Sequence, residues 1–292
     1  MIKKKTVCYW SPFISNVATI KAVINSALSI NRYSNQKYES LIIDVFGEWR
    51  TNTNNETYNL KFYSLNYITK LFKFSSEGFI KSRLKYIVIF LLSFSTLKKF
   101  LIKVKPEFLI IHLITSLPLL LNLIYQFDTK IILRISGKPQ MNIFRYIFWK
   151  IALRKVCKVT FPTLESLEYF KSLKIIDNNK LFLLRDPVFI HKDLIQKKKE
   201  LIDNDLNLKK NDYFLSIGRL TKQKNFIFLL KFFKKIVKKN SEINLNILGE
   251  GEEYEKLKKY IKKKNLEKNI FLKGYQEKIY EYLSLSDAFI LS

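Results

Sequence analysis

The sequence predicts an α/β protein of two successive units, each built on a parallel sheet. Three observations carry that prediction. Short apolar runs rich in Val, Ile, Leu and Phe alternate with longer stretches of helical period, the pattern of βαβ units. The alternation stops once, at Arg185-Asp186-Pro187, and resumes only after a charged stretch from Lys192 to Lys210. The 292 residues are 48% hydrophobic and 15% aromatic, enough for a real core and too apolar for a disordered chain. The expected divisions are a first domain over 1–186, a linker over 187–211 and a second domain over 212–292.

The elements follow in order. Val7–Trp10 reads as a strand, and Thr19–Ile30 as a helix with Ile20, Val23, Ile24, Ala27 and Leu28 on one face. Leu41–Val45 is a second strand, and Ile68–Leu101 is mostly helical and basic. Phe108–His112 is a strand after Pro106, Pro118–Tyr125 a helix and Ile131–Ile135 a strand. Phe144–Leu153 is a helix and Val156–Phe161 a strand. Leu164–Leu173 is a helix capped by Thr163, before strand Lys180–Leu184. In the second series Tyr213–Ile217, Leu245–Leu248, Ile270–Lys273 and Ala288–Leu291 are strands. Phe226–Lys239, Glu252–Lys264 and Ile279–Ser284 are the helices between them.

Composition narrows the function classes. Seven Gly and six Pro exclude collagen-like and Pro/Gly low-complexity chains. Two Cys, at 8 and 157, exclude a disulfide framework and a cysteine zinc ribbon, and both sit in apolar stretches as buried, inert thiols. Neither His112 nor His191 has a ligand neighbour at zinc spacing. No Gly-x-Ser-x-Gly elbow and no Walker-type phosphate loop occurs. The N-terminal apolar run is too short for a signal segment. Tyr86–Leu97 is too short to span a membrane, so a cytoplasmic chain is expected.

The formal charge is +27, from 52 Lys plus Arg against 25 Asp plus Glu. Part of it is a general drift towards Lys in a chain also rich in Asn, Ile, Phe and Tyr. Two windows stand apart. Lys61 to Lys105 holds ten basic residues and one acid, Glu77, and Lys130 to Lys158 holds eight basic residues and no acid. Both are candidate surfaces for an anionic partner.

The sharpest constellation opens the second domain. Strand Tyr213–Ile217 ends in Gly218-Arg219-Leu220-Thr221, then Lys222-Gln223-Lys224-Asn225, then an apolar-faced helix that Asn225 can cap. A glycine at a strand end lets a ligand approach the backbone. Arg219 and Lys224 beside a helix N-terminus suit a diphosphate. The next strand ends in Gly249-Glu250-Gly251, at the carboxyl edge where open parallel sheets bind ligands. Phe271-Leu272-Lys273-Gly274 and Asp287-Ala288-Phe289-Ile290-Leu291-Ser292 complete the series. Asp203-Asn204-Asp205 imitates a metal motif, but it lies in the charged linker without a strand before it.

This succession over 213–292 closely resembles the donor domain of the family 4 (group 1) glycosyltransferases of bacterial surface-polysaccharide type. The resemblance implies a GT-B fold, two Rossmann-like doubly wound domains facing a cleft, with the second domain incomplete. It implies a retaining transfer from a nucleotide-sugar, with no cofactor and no metal. Arg219 and Lys224 then match the residues that bind the donor diphosphate and stabilise the leaving group, with Gly218, Gly249, Glu250 and Gly251 around the donor. The family's Glu-x7-Glu motif would fall after Ser292, so a truncated, inactive piece of a longer protein is expected.

The first domain matches more loosely. Ser15 and Asn16 stand where the family often has a Gly-Gly pair near the donor phosphates. His112 matches a cleft histidine near the transferred sugar, with an ordinary core histidine as the alternative. Arg134, Ser136, Gly137 and Lys138 fall on the acceptor side, where Arg134 and Lys138 either meet a phosphate or are solvated. Residues 61–105 interleave cations and aromatics on a helical period, which suits an anionic membrane surface. The implied partners are a nucleotide-sugar and a lipid-linked saccharide, with no nucleic acid. The implied place is the inner face of the cytoplasmic membrane, bound peripherally, in lipopolysaccharide, O-antigen or capsule synthesis. The rival readings are a GT-B nucleotide-sugar epimerase, a basic nucleic-acid-binding protein and a non-catalytic remnant.

Overall fold

The computed structural model describes residues 4–13, 18–49, 60–65, 79–139, 141–187, 195 and 213–291. Contacts divide the chain into two compact units, Met1–Ile190 and His191–Ser292.

The first unit runs β1 (Lys5–Trp10), α1 (Ala18–Tyr33), β2 (Tyr38–Asp44), β3 (Lys61–Ser64), α2 (Phe79–Val104), β4 (Phe108–Ile111), α3 (Ser116–Tyr125) and β5 (Lys130–Arg134). It continues with α4 (Ile143–Ala152), β6 (Lys158–Phe161), α5 (Leu164–Ser172) and β7 (Leu181–Leu183). The seven strands form one parallel sheet in the order β3-β2-β1-β4-β5-β6-β7. The order reverses between β1 and β4, so the loops after those two strands flank the switch point.

Alternation along β1 divides the core. Val7 and Tyr9 pack with Val23, Ile24 and Ala27 of α1, while Cys8 and Trp10 join the core under α2 to α5. Cys8 is fully buried, and that burial pushes its thiol up to about 12, while Cys157 is half-buried. Thr163 caps α5 as the sequence predicts, its Oγ1 accepting from Ser166 N at 3.2 Å. The β6 strand starts at Lys158 rather than Val156, and β3 is an element that periodicity did not signal. Strand β3 is short, polar at both ends and paired only with β2, so it lacks the apolar run of an inner strand. Within the expected helix 68–101 the described part starts at Phe79, and residues 66–78 lie outside the described residues. Among the described residues no helix is long and apolar enough to cross a membrane.

The end of β2 carries a buried carboxyl pair. Asp44 accepts from Gly47 N at 2.9 Å, and Glu48 accepts from Val45 N and Phe46 N at 3.1 and 2.9 Å. Burial raises the Glu48 carboxyl well above its ordinary range, and its hydrogen bond with Asp44 adds to the rise. A raised carboxyl favours the fold while protonated, so that stabilisation is lost as pH rises through the folded value. We expect the urea midpoint of the wild type to fall from mildly acidic to alkaline pH. Glu48→Gln, which keeps a neutral hydrogen-bonding group, should flatten that fall; equal slopes for the two proteins would contradict it.

The second unit runs β8 (Tyr213–Ile217), α6 (Phe226–Lys239), β9 (Asn244–Leu248), α7 (Tyr254–Lys263), β10 (Ile270–Leu272), α8 (Ile279–Leu285) and β11 (Ala288–Phe289). Its strands are parallel in the order β10-β9-β8-β11. Leu229, Leu230 and Phe233 of α6 and Leu257 and Ile261 of α7 cover one face. On the other face Tyr213, Leu215 and Leu248 pack against Tyr282 and Leu285 of α8. The periodicity of the two helices explains this: α6 turns Phe226, Leu229, Leu230 and Phe233 inward and α7 turns Leu257 and Ile261 inward, while most of their lysines, and Phe228 and Phe232 of α6, face outward.

Candidate functional site

The carboxyl edge of the second sheet is built from three turns joined by main-chain hydrogen bonds. Gly218 N donates to Leu248 O at 2.9 Å, and Leu220 N to Glu250 O at 2.8 Å. Glu253 N returns to Leu220 O at 2.9 Å, and Gly249 N donates to Gly274 O at 2.7 Å. The β8 and β9 pairing therefore continues past the strand ends into the turns.

The glycines of these turns are bare for different reasons. Gly249 has φ +134°, and a Cβ there would collide with the carbonyl of Gly218. A Cβ on Gly251 would collide with the carbonyl of Leu220. Folding alone requires both. Gly218 has no such demand: a Cβ there would lie 3.4 Å from the Phe226 ring and 3.9 Å from the Lys224 stem, ordinary contacts. Its lack of a side chain is left for something other than the fold to explain.

Leu220 is fully buried, which fixes the turn and leaves Arg219 exposed. Residues Lys222–Lys224 form one 3-10 turn leading into α6, with Lys222 and Lys224 exposed. Three cations therefore stand beside the positive end of a 14-residue helix, and residues 221–241 contain no acid. Among the described residues the Arg219 guanidinium has no ion pair. Thr221 Oγ1 is buried there without a hydrogen-bond partner among the described residues. It is a polar group of this turn that motif reading did not single out. One expectation is corrected. Asn225 holds the N-cap position of α6, but with φ 49° and no side-chain cap. In that left-handed conformation its carbonyl accepts from Phe228 N at 2.9 Å instead.

In the first unit the β4 end places His112 N on Trp10 O at 2.9 Å, across the switch point. His112 is buried, and its Nδ1 has no partner among the described residues. Burial, with Arg134 nearby, holds the imidazole down to about 3, so it stays neutral at physiological pH. In the fold it opposes protonation, a stabilisation present at neutral pH and lost as pH falls towards that value. A cavity of about 330 Å³ is lined by His112, Arg134, Ser26, Thr160 and Asp186 among others.

Arg134 corrects the sequence expectation of a solvated or phosphate-facing cation. It is 3% exposed, its guanidinium pairs with Asp186, and it donates to Leu184 O. Its first commitment is to the segment that closes the unit. Ser136, Gly137 and Lys138 are exposed in the loop after β5, and Lys138 Nζ lies 2.7 Å from Glu165, which it holds below the usual carboxylate range. Ser15 and Asn16, His191 and the Asp203-Asn204-Asp205 stretch lie outside the described residues.

Comparison with known proteins follows this geometry. Residues 198–292 match the family model described as glycosyl transferases group 1. An uncharacterized glycosyltransferase of Methanocaldococcus jannaschii is 31% identical over 208 residues, which are 64% of this chain and 50% of the relative. The Campylobacter jejuni enzyme named N-acetylgalactosamine-N,N'-diacetylbacillosaminyl-diphospho-undecaprenol 4-alpha-N-acetylgalactosaminyltransferase is 31% identical over 142 residues, 42% of this chain and 36% of that protein. The chain thus spans about half or less of the length of these curated relatives. Among solved structures, Staphylococcus aureus TarM, solved in complex with UDP, aligns with TM-score 0.67 at 12% identity, over 98% of this chain and 80% of that one. A UDP-GlcNAc 2-epimerase from Neisseria meningitidis aligns with TM-score 0.63 at 15% identity, over 97% of this chain and 75% of that one. Likeness at such identity speaks to fold, and the fold is the GT-B type. Residues 198–292 thus carry the match to the glycosyl transferases group 1 model, within a chain that has the GT-B fold.

Proposed function

We propose that the protein transfers a sugar from a nucleotide-sugar to a lipid-linked saccharide acceptor in surface-polysaccharide synthesis, such as lipopolysaccharide, O-antigen or capsule. The transfer retains anomeric configuration and uses no metal. The observation that carries the reading is the Gly218 turn: a main chain left bare beyond what folding requires, with Arg219 and Lys224 at a helix N-terminus. That combination is built for two phosphates. As the glycosidic bond breaks, negative charge builds on the departing diphosphate, and fixed cations stabilise it without reorganisation. The turn at Gly249-Glu250-Gly251 faces the nucleotide in this reading. His112, held neutral, serves as a hydrogen-bonding group near the transferred sugar rather than as a charged acid.

The reading includes peripheral attachment to an anionic membrane, at its cytoplasmic face, through residues 61–105. The exposed Leu84, Ile87 and Leu91 of α2, with Lys85, Lys98, Lys99 and Lys103 on the same helix, support it. The epimerase fold likeness keeps a second reading in view, a nucleotide-sugar epimerase. Product analysis separates the two, because an epimerase needs no acceptor.

The test of the site is a titration with UDP, followed by a transfer assay with UDP-sugars and a lipid-linked saccharide. Gly218→Ala should leave thermal unfolding nearly unchanged, since its methyl meets only ordinary contacts, while UDP affinity falls about tenfold or more. Wild-type UDP affinity in that variant would remove the argument for a backbone-facing ligand.

A further inference from the structure

We infer that helix α4 is a membrane-contact element whose outer stripe, Ile143, Phe144, Ile147 and Ile151, enters the headgroup layer of an anionic bilayer. This rests on the membrane reading above and adds a contact outside residues 61–105.

The inner face of α4 belongs to the core: Trp149 and Ala152 are buried, and Tyr146 and Phe148 pack partly against the same cluster. A helix docked this way normally turns polar residues to water. Helix α4 does the reverse. Phe144 is 81% exposed, Ile143 is 64%, and Ile147 and Ile151 are each 50% exposed. Ile143, Ile147 and Ile151 recur every four residues, so they form one line along the helix, with Phe144 beside its start. The helix start is fixed, because the Asn142 side chain accepts from Arg145 N at 2.8 Å. Helix α3 packs against α4 and leaves Ile124 and Tyr125 exposed as well.

Charge selects the occupant. Arg145, Lys150, Arg154 and Lys155 are exposed on or just after the helix, and no acid occurs between Lys130 and Lys158. A second copy meeting this face about a two-fold axis would set these cations against themselves. Nucleic acid would match the charge, but three of the four stripe residues are isoleucines, which give bases nothing to stack on, and Phe144 offers a single ring at one end. A plane of anionic headgroups over acyl chains accepts both features together: cations stay at the phosphates while the stripe sits below them.

The test is co-sedimentation of the full chain with phosphatidylcholine vesicles and with mixed phosphatidylcholine and phosphatidylglycerol vesicles. The wild type should partition onto the mixed vesicles, and the Phe144→Asp, Ile147→Asp pair should lower that partition about tenfold or more. UDP affinity of the pair should stay at the wild-type level. Should the pair prove unstable by circular dichroism, Phe144→Ser with Ile147→Ser asks the same question. A matched pair on α2, Leu84→Asp with Leu91→Asp, separates the two claims. If only the α2 pair loses binding, the α4 inference falls and the membrane reading stands. If the wild type ignores mixed vesicles, both fall. A dimer seen by light scattering and dissolved by the α4 pair would assign the stripe to a second copy and overturn the lipid assignment.

Discussion

Alanine at Arg219 or at Lys224 is expected to lower sugar transfer by roughly a hundredfold or more, the size of effect seen when one fixed charge-stabilising donor is removed. Both side chains are exposed, so neither supports the core, and far-UV circular dichroism should not change. The loss should appear in kcat as well as in kcat/KM, because the diphosphate is more negative in the transition state than in the bound donor. Arg219→Lys should recover part of the rate: it keeps the charge but not the planar fork. The assay supplies a UDP-sugar donor and a lipid-linked saccharide acceptor. Rates within a few-fold of wild type for either alanine variant would sink the diphosphate assignment.

Gly249→Ala should have the largest effect on stability, about 3 kcal/mol or more in the second unit. The methyl group would meet the Gly218 carbonyl, and the backbone sits at φ +134°, a conformation that L side chains rarely adopt. Relaxing the clash means breaking the Gly218 N to Leu248 O and Gly249 N to Gly274 O hydrogen bonds that join the turns. The three tryptophans, Trp10, Trp49 and Trp149, all lie in the first unit. Urea unfolding followed by tryptophan emission should therefore keep its wild-type midpoint, while the circular dichroism of the variant shows an earlier transition. A single shared transition at the wild-type midpoint would contradict the predicted clash.

The second unit was legible in the sequence because its information is local. Strand, glycine turn and amphipathic helix succeed one another within a few residues, so Tyr213–Ile217 and Phe226–Lys239 have the predicted ends. The first unit hides more. Arg134 reads as one cation among many in a basic window, and its partner Asp186 is 52 residues away in what looks like a break in the pattern. His112 reads as a site residue or a core residue, and only burial beside Arg134 says that it stays neutral. Strand β3 escaped because an edge strand does not need an apolar run. The α4 stripe escaped for another reason. Periodicity shows that a helix has apolar residues on more than one side, but not which side the rest of the chain covers.

The stitched turns at the carboxyl edge of the second sheet also bear on how such a protein changes over time. The platform beside Arg219 is made largely of main-chain atoms and glycines, held by bonds that any L residue at 250, and any but proline at 253, can make. The side chains at Glu250 and Tyr275 are exposed and carry none of that stitching. Side chains at these two positions can therefore change without dismantling the main-chain platform beside Arg219. What the platform's own geometry fixes is smaller than its surface: Gly249 and Gly251, where a side chain would run into the carbonyls of Gly218 and Leu220.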